Sequence, residues 1–196
     1  MTQSASLRER RRHETSFRIS AEARRLTDQR GLDSWTMDDL AEAAGVSRRT
    51  LFNYFPGKVD AVLGAPPQIP DDLLATFQAG GPTGDLLEDI GVMVQAVLQV
   101  DDEDRESLEL GRRLLKGTPR LLVAAHQRFE ASIDEFAALL RTRSSADLDE
   151  NGSRLLLRLL VALYDTVLER YLAEPAGRSF AELFDDTLHT TRRLLG

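Results

Sequence analysis

The chain contains no cysteine. Disulfides, thiolate metal sites and a cysteine nucleophile are therefore excluded, and the composition suits a reducing cytoplasm, the expected location. Only three histidines are present, His13, His126 and His189, and no two stand four residues apart, so no metal site is expected. No apolar run approaches the roughly 18 residues that a membrane span needs, and the amino terminus has no apolar signal core, so neither export nor membrane insertion is expected. A Gly-x-Ser-x-Gly elbow is missing and no serine can be assigned a base. The many aspartates and glutamates read as solvated helix faces rather than as paired catalytic carboxylates. There is no alternating strand pattern, internal repeat or low-complexity run. An enzyme is not expected, and no cofactor is implied.

What remains is an ordinary globular composition, 196 residues with 42% hydrophobic and 29% charged. A chain of this length can bury roughly 70% of its unfolded surface in one good core or two small ones. The net charge of −7 is unevenly spread. Residues 1–60 hold 11 Lys or Arg against 9 Asp or Glu, and the remainder holds 14 against 23. An acidic body with a basic head suits a protein that presents one end to phosphates.

The basic part surrounds the stretch Thr36 to Lys58, TMDDLAEAAGVSRRTLFNYFPGK. Thr36 stands three residues before Asp39, a capping-box spacing, so a short helix is expected from Met37, with Met37, Leu40, Ala41 and Ala44 as its apolar stripe. Gly45 can take the left-handed conformation that ends a helix, and Val46 can plug the angle that follows. Ser47 caps a second helix of about two turns, Arg48 to Tyr54. Leu51 and Phe55 would face inward beside Leu40 and Val46, leaving Arg48, Arg49, Thr50, Asn53 and Tyr54 outward. Two helices joined by a tight glycine turn, the second tipped with arginines, can place a recognition helix in a DNA major groove. The spacing alone leaves a second reading open, a short hairpin in a helical core with a charged outer face.

The run AEAAGVSRRTLFNYFPGK resembles the DNA-binding signature of the TetR family of bacterial transcriptional regulators in its Ala-Gly-Val-Ser turn, aromatic-rich helix end and Phe-Pro-x-Lys exit. The resemblance covers about Phe17 to Leu63. It implies an all-α fold, with a three-helix helix-turn-helix DNA-binding domain over 7–57 and a helical effector-binding and dimerisation domain over 58–196. The implied function is a one-component regulator, a repressor, that binds a palindromic operator in double-stranded DNA as a homodimer and is released by a small-molecule effector. The candidate base readers are Arg48, Arg49 and Asn53, because arginine can donate twice to guanine and asparagine can pair with adenine. Thr36, Ser47, Thr50, Tyr54 and Lys58 are the candidate phosphate contacts. Two departures from the family pattern stand out. Phe52 lacks the hydroxyl of the usual tyrosine, and Thr27 replaces an aromatic core residue whose volume Trp35 could fill.

The rest of the chain reads as helices. Leu7 to Arg30 follows a polar start that is expected to be disordered, with Ile19, Ala23 and Leu26 on one face. Its arginines, Arg8, Arg10, Arg11 and Arg12, either add sequence-independent affinity for the DNA backbone or form a solvated tail. The family's long linking helix is expected to be cut short after Leu63 by Gly64, Pro66, Pro67 and Pro70 and to restart at Asp71. Gly80 to Gly84 is a connector. Leu86 to Leu98 carries a helical stripe, and Asp101 to Asp104 is expected to cap the next helix, which runs to Lys116. Thr118–Pro119 is a strong helix start. Ser144 to Gly152 interrupts the pattern with polar residues. From Ser153 to Ala173 the helix is apolar nearly all round, which requires burial on two sides. Ser179 and Glu182 box the start of the last helix. The family's use of its last two helices for dimerisation implies the same here.

Met93, Val94, Val97, Leu115, Leu122, Phe129, Ile133, Phe136 and Tyr164 of the middle helices either line an effector pocket or form ordinary core, since both need the same helical spacing. The body also resembles an actinobacterial TetR subgroup related to the mycofactocin regulator, which implies an apolar or acyl-coenzyme A-like effector; the basic cluster of Arg112, Arg113, Lys116, Arg120, His126 and Arg128 reads either as part of its site or as surface charge. A rival reading is a small-molecule-sequestering protein or enzyme on a regulator-like helical scaffold. A membrane-surface helix at the amino terminus is disfavoured by the few large apolar residues opposite its arginines.

Overall fold

A computed structural model of the chain describes residues 2–66, 69–97, 105–143, 149–173 and 177–195, with side chains from residue 11 onward except at Val97 and Leu195. The described residues form ten α-helices and no strand. They are α1 (Thr2–Arg30), α2 (Met37–Ala43), α3 (Arg48–Tyr54), α4 (Lys58–Leu63), α5 (Asp71–Gln78), α6 (Leu86–Val97), α7 (Arg105–Gly117), α8 (Pro119–Thr142), α9 (Glu150–Ala173) and α10 (Phe180–Leu195). No helix of the described residues is long and apolar enough to cross a membrane.

The chain divides into two compact units, one of Met1–Pro66 with Glu103–Gln127 and the other of Pro67–Asp102 with Arg128–Gly196. In the first, α1 packs on α2, α4 and α7. Ile19, Ala23 and Leu26 of α1 meet Leu40, Ala41, Leu51, Phe55, Ala61, Val62, Leu114 and Leu121 in one apolar cluster. Helix α1 starts at Thr2, so the opening residues expected to lack structure extend it instead. Nothing between Thr2 and Leu7 breaks a helix, since neither glycine nor proline occurs there.

Trp35 fills the space beside Thr27 and is only 1% exposed. Its indole N–H donates to the Thr27 hydroxyl at 3.1 Å, and that hydroxyl donates to the Ala23 carbonyl at 2.7 Å. A threonine at 27 therefore gives the buried indole N–H a partner, which a phenylalanine there could not.

Arg24 joins three elements of the same unit. Its guanidinium donates to the Val62 carbonyl at 3.0 Å, near the end of α4, and to the Ser107 hydroxyl at 2.8 Å, near the start of α7. Helix α4 is only six residues long and ends at Gly64, whose φ of +84° is open to glycine and strained for other residues. The short linking helix and the restart at Asp71 agree with the proline pattern.

In the second unit α10 packs on α9 and α6, and Phe77, Ile90, Met93, Ile133, Ala137, Leu140 and Leu157 form the core. Arg143, just past α8, is wholly buried. It donates to the Phe77 carbonyl at 3.0 Å, the Gly80 carbonyl at 3.1 Å and the buried carboxylate of Asp89. Asp89 also accepts from the backbone N–H and the hydroxyl of Thr83, each at 2.7 Å. Burial by itself would raise the Asp89 pKa, but the bonds from Thr83 and Arg143 outweigh it and hold the carboxyl below its usual range. This cage fixes the 79–84 connector against α6 and the end of α8.

The Ser179–Glu182 box forms, with the serine N–H donating to Glu182 at 2.8 Å. Helix α9 begins at Glu150, three residues before the expected Ser153, because the Asp149 carboxylate accepts from the Gly152 N–H at 2.7 Å and caps it. The expected cap over Asp101 to Asp104 lies outside the described residues.

Candidate nucleic-acid interface

Local chemistry sets the angle between α2 and α3. The Thr36 hydroxyl accepts from the Asp39 N–H at 3.2 Å, and the Asp39 carboxylate accepts from the Thr36 N–H at 2.6 Å, which closes the box at the start of α2. The hydrogen bonds from the Thr36 side chain and backbone hold the Asp39 carboxyl below its usual pKa. At the other end the Val46 N–H reaches back to the Ala41 carbonyl at 3.0 Å and the Gly45 N–H to Glu42 at 3.1 Å, with Gly45 at φ +62°. This pair of bonds is a Schellman ending, and it turns the chain within two residues. The Ser47 hydroxyl accepts from the Thr50 N–H at 3.0 Å and starts α3.

Leu51 and Phe55 are buried, whereas Arg48, Arg49 and Asn53 are exposed on the opposite side of α3. The three residues expected to read bases therefore share one solvent face. The expected phosphate contacts are more varied. The Thr36 hydroxyl is engaged in its box, and the hydroxyls of Ser47 and Thr50 lie 2.7 Å apart. Tyr54 is half-buried, with the Arg12 guanidinium 5.9 Å from its ring centroid, which brings one of the amino-terminal arginines to the end of α3. Arg11 is exposed, while the side chains of Arg8 and Arg10 lie outside those described. The Lys58 ammonium donates to the Leu32 carbonyl at 3.2 Å and sits 5.0 Å from the Trp35 ring centroid.

The spacing did not reveal one neighbour of this face. Asp38, in the first turn of α2, accepts from Arg48 at 2.7 Å, and the same guanidinium lies 5.6 Å from the ring centroid of the exposed Phe52. A signal was available, since Asp38 falls outside the buried stripe of α2, on the side that continues toward the start of α3.

The residues expected to line an effector pocket divide between the two units. Met93 and Ile133 are buried in the core of the carboxyl-terminal unit, with Val94, Phe129 and Phe136 packed against it. Tyr164 packs its ring 5.5 Å from that of Phe180. Leu115 borders the amino-terminal core, and Leu122 is 56% exposed. The Val97 side chain lies outside those described. An open cleft of about 430 Å³ lies in the amino-terminal unit, between Val59 of α4 and Pro119, Arg120, Val123, Ala124 and Gln127 of α8. Of the basic cluster, Arg113 pairs with Asp28 at 2.9 Å and Arg120 with Asp33 at 3.0 Å.

Capped helices, a glycine turn and an arginine-tipped outer face define a helix-turn-helix DNA-binding protein. Residues 19–63 match the family model described as bacterial regulatory proteins, tetR family. The chain is also 28% identical over 167 residues to the HTH-type transcriptional regulator TcmR of Streptomyces glaucescens, a match that covers 82% of this chain and 73% of that one. Residues 19–63 thus form a DNA-binding domain of the tetR-family type, and the chain is similar to a regulator that bears one.

Proposed function

We propose that the protein is a repressor that binds a palindromic operator as a homodimer and releases it when a small molecule occupies the body. Residues 7–57 read DNA and residues 58–196 bind the effector and the second copy. The observation that carries this reading is the solvent face of α3, where Arg48, Arg49 and Asn53 stand exposed over a buried Leu51 and Phe55. Arg48 and Arg49 donate to guanine edges and Asn53 pairs with adenine. Thr36, Ser47, Thr50, Tyr54 and Lys58 fix the register on the phosphates. Two copies present their recognition helices about one DNA turn, roughly 34 Å, apart or somewhat more.

Support for the second copy comes from α9. Leu155 is 59% exposed, Leu159 46% and Val161 40%, although the helix already buries Leu157, Leu163, Val167 and Leu168. Helix α10 spends Phe180, Leu183, Phe184 and Leu188 on its own unit and exposes Leu194, so both helices offer apolar surface to the pairing face. The effector, an apolar or acyl-coenzyme A-like compound, shifts the population toward a state with mis-spaced heads by binding it better. Met93, Phe129 and Ile133, which share one apolar cluster, are its nearest candidate contacts.

Selection of bound duplexes from a random pool tests the reading. The expected product is an inverted repeat, with the protein eluting at twice its monomer mass. Recovery of duplexes with no shared sequence would overturn it. Repeating the binding with acyl-coenzyme A compounds and free fatty acids tests the release step.

A further inference from the structure

Arg48 is one of the two candidate guanine readers on α3, yet it does not project freely. Its Nη1 donates to Asp38 Oδ2 at 2.7 Å, and the Phe52 ring faces the guanidinium 5.6 Å away. Both members of the ion pair remain open to water, with side chains 65% and 62% exposed. Such an exposed pair contributes little to folding, so the contact between Asp38 and Arg48 is not explained by stability. On a surface that must approach phosphates, a carboxylate is also repulsive in general, which weakens sequence-independent binding.

We propose that Asp38 and Arg48 act as one reading unit, with Asp38 as a specificity-determining residue that positions Arg48 and itself contacts a base. The pair fits one G·C base pair in the major groove. Guanine presents O6 and N7, both acceptors, to the arginine fork, and the paired cytosine presents its N4 amino group, a donor, to a carboxylate. O6 and N4 are hydrogen-bonded to each other, hence about 3 Å apart, the same scale as the separation of the guanidinium and carboxylate here. A T·A pair matches both groups but puts the thymine methyl where the arginine fork needs N7, and the other two alternatives oppose like groups. A thymine opposite adenine would set its O4 acceptor against the carboxylate, and a reversed C·G pair would set the amino group against the arginine. Phe52 closes the third side, so the guanidinium loses less freedom on binding than an unsupported arginine would.

The inference rests on the assignment of α3 as the DNA-reading helix, and the test separates the two. Duplexes are selected from a random pool with the full-length wild type, Asp38→Asn and, as a charge control, Asp33→Asn, an exposed acid of the same unit. The wild type is expected to require G·C at one position of each half-site, with an A·T replacement there weakening binding about 10-fold. In Asp38→Asn that penalty is expected to shrink to about 3-fold or less, while affinity for unrelated duplexes rises and helix content and melting temperature stay unchanged. Asp33→Asn is expected to raise binding of all duplexes alike and keep the penalty. An Asp38→Asn protein that behaves like Asp33→Asn, or that keeps full discrimination at every position, overturns the role of Asp38 and leaves the DNA-reading assignment standing. A wild type that selects no sequence overturns both.

Discussion

Each unit of the molecule contains an arginine held by an aspartate and faced by a phenylalanine ring. In the amino-terminal unit Arg48 meets Asp38 and lies 5.6 Å from the Phe52 centroid. In the carboxyl-terminal unit Arg143 meets Asp89 and lies 4.6 Å from the Phe77 centroid. The difference is water. The first pair is about two-thirds exposed and can exchange its partner for water or another polar group at small expense, whereas the second is fully buried and surrounded by carbonyls. The same three groups make an exchangeable surface pair in one setting and a structural staple in the other, because burial decides whether a charge is free to change partners.

The largest effect should come from breaking the buried pair. Arg143→Met leaves the Asp89 carboxylate and the carbonyls of Phe77 and Gly80 without their donor, and a loss of about 3 to 5 kcal/mol is expected in chemical denaturation. A loss under 1 kcal/mol would erase the contrast between the two pairs.

Acid should act at the same place. The folded-state pKa of Asp89 is lowered, so its stabilisation is fully present above the ordinary carboxyl value of about 3.9 and is lost as pH falls through the lower folded value. Asp89→Asn is expected to flatten that part of the stability profile. An identical acid limb in wild type and variant would assign the dependence to other carboxylates. Asp39, Glu182 and Asp186, whose pKa values are also lowered, are the ones to examine then.

A smaller loss is expected for Gly45→Ala. A Cβ there meets nothing within 4 Å, so the change isolates backbone strain at φ +62°, about 1 to 2 kcal/mol in thermal unfolding. Arg48→Ala should move stability least, by under about 1 kcal/mol, yet weaken operator binding about 10-fold or more. Unchanged operator affinity would remove Arg48 from the readers and, with it, the contrast drawn here.

Most local punctuation of the fold was legible in the sequence. Thr36 with Asp39, Gly45, Ser47, Pro119, and Ser179 with Glu182 each act on the backbone within a few residues, and each stands where its chemistry predicts. The proline-rich break after Leu63 was legible for the same reason. Contacts between distant positions were not. Arg143 and Asp89 are 54 residues apart, and Arg24 reaches Ser107 across 83, so no window of sequence contains either pair. The exposed face of α3 followed from periodicity, but Asp38 lies on a different helix from Arg48, and only the turn geometry brings them together. The apolar residues of the middle helices show why stripes are ambiguous, since burying Met93 and Ile133 in a core needs the same spacing as lining a pocket.

The stacked contact beneath Lys58 gives the protein an optical reporter. Trp35 is the single tryptophan in 196 residues, and it lies in the amino-terminal unit with an ammonium over its ring and a threonine on its N–H. Emission excited selectively at the red edge of the aromatic band therefore comes from one known place. A cation that turns from the indole toward a phosphate alters the field across the excited ring, so titration with DNA should shift the colour of that emission without any attached dye. The carboxyl-terminal unit, with no tryptophan, stays dark in the same measurement.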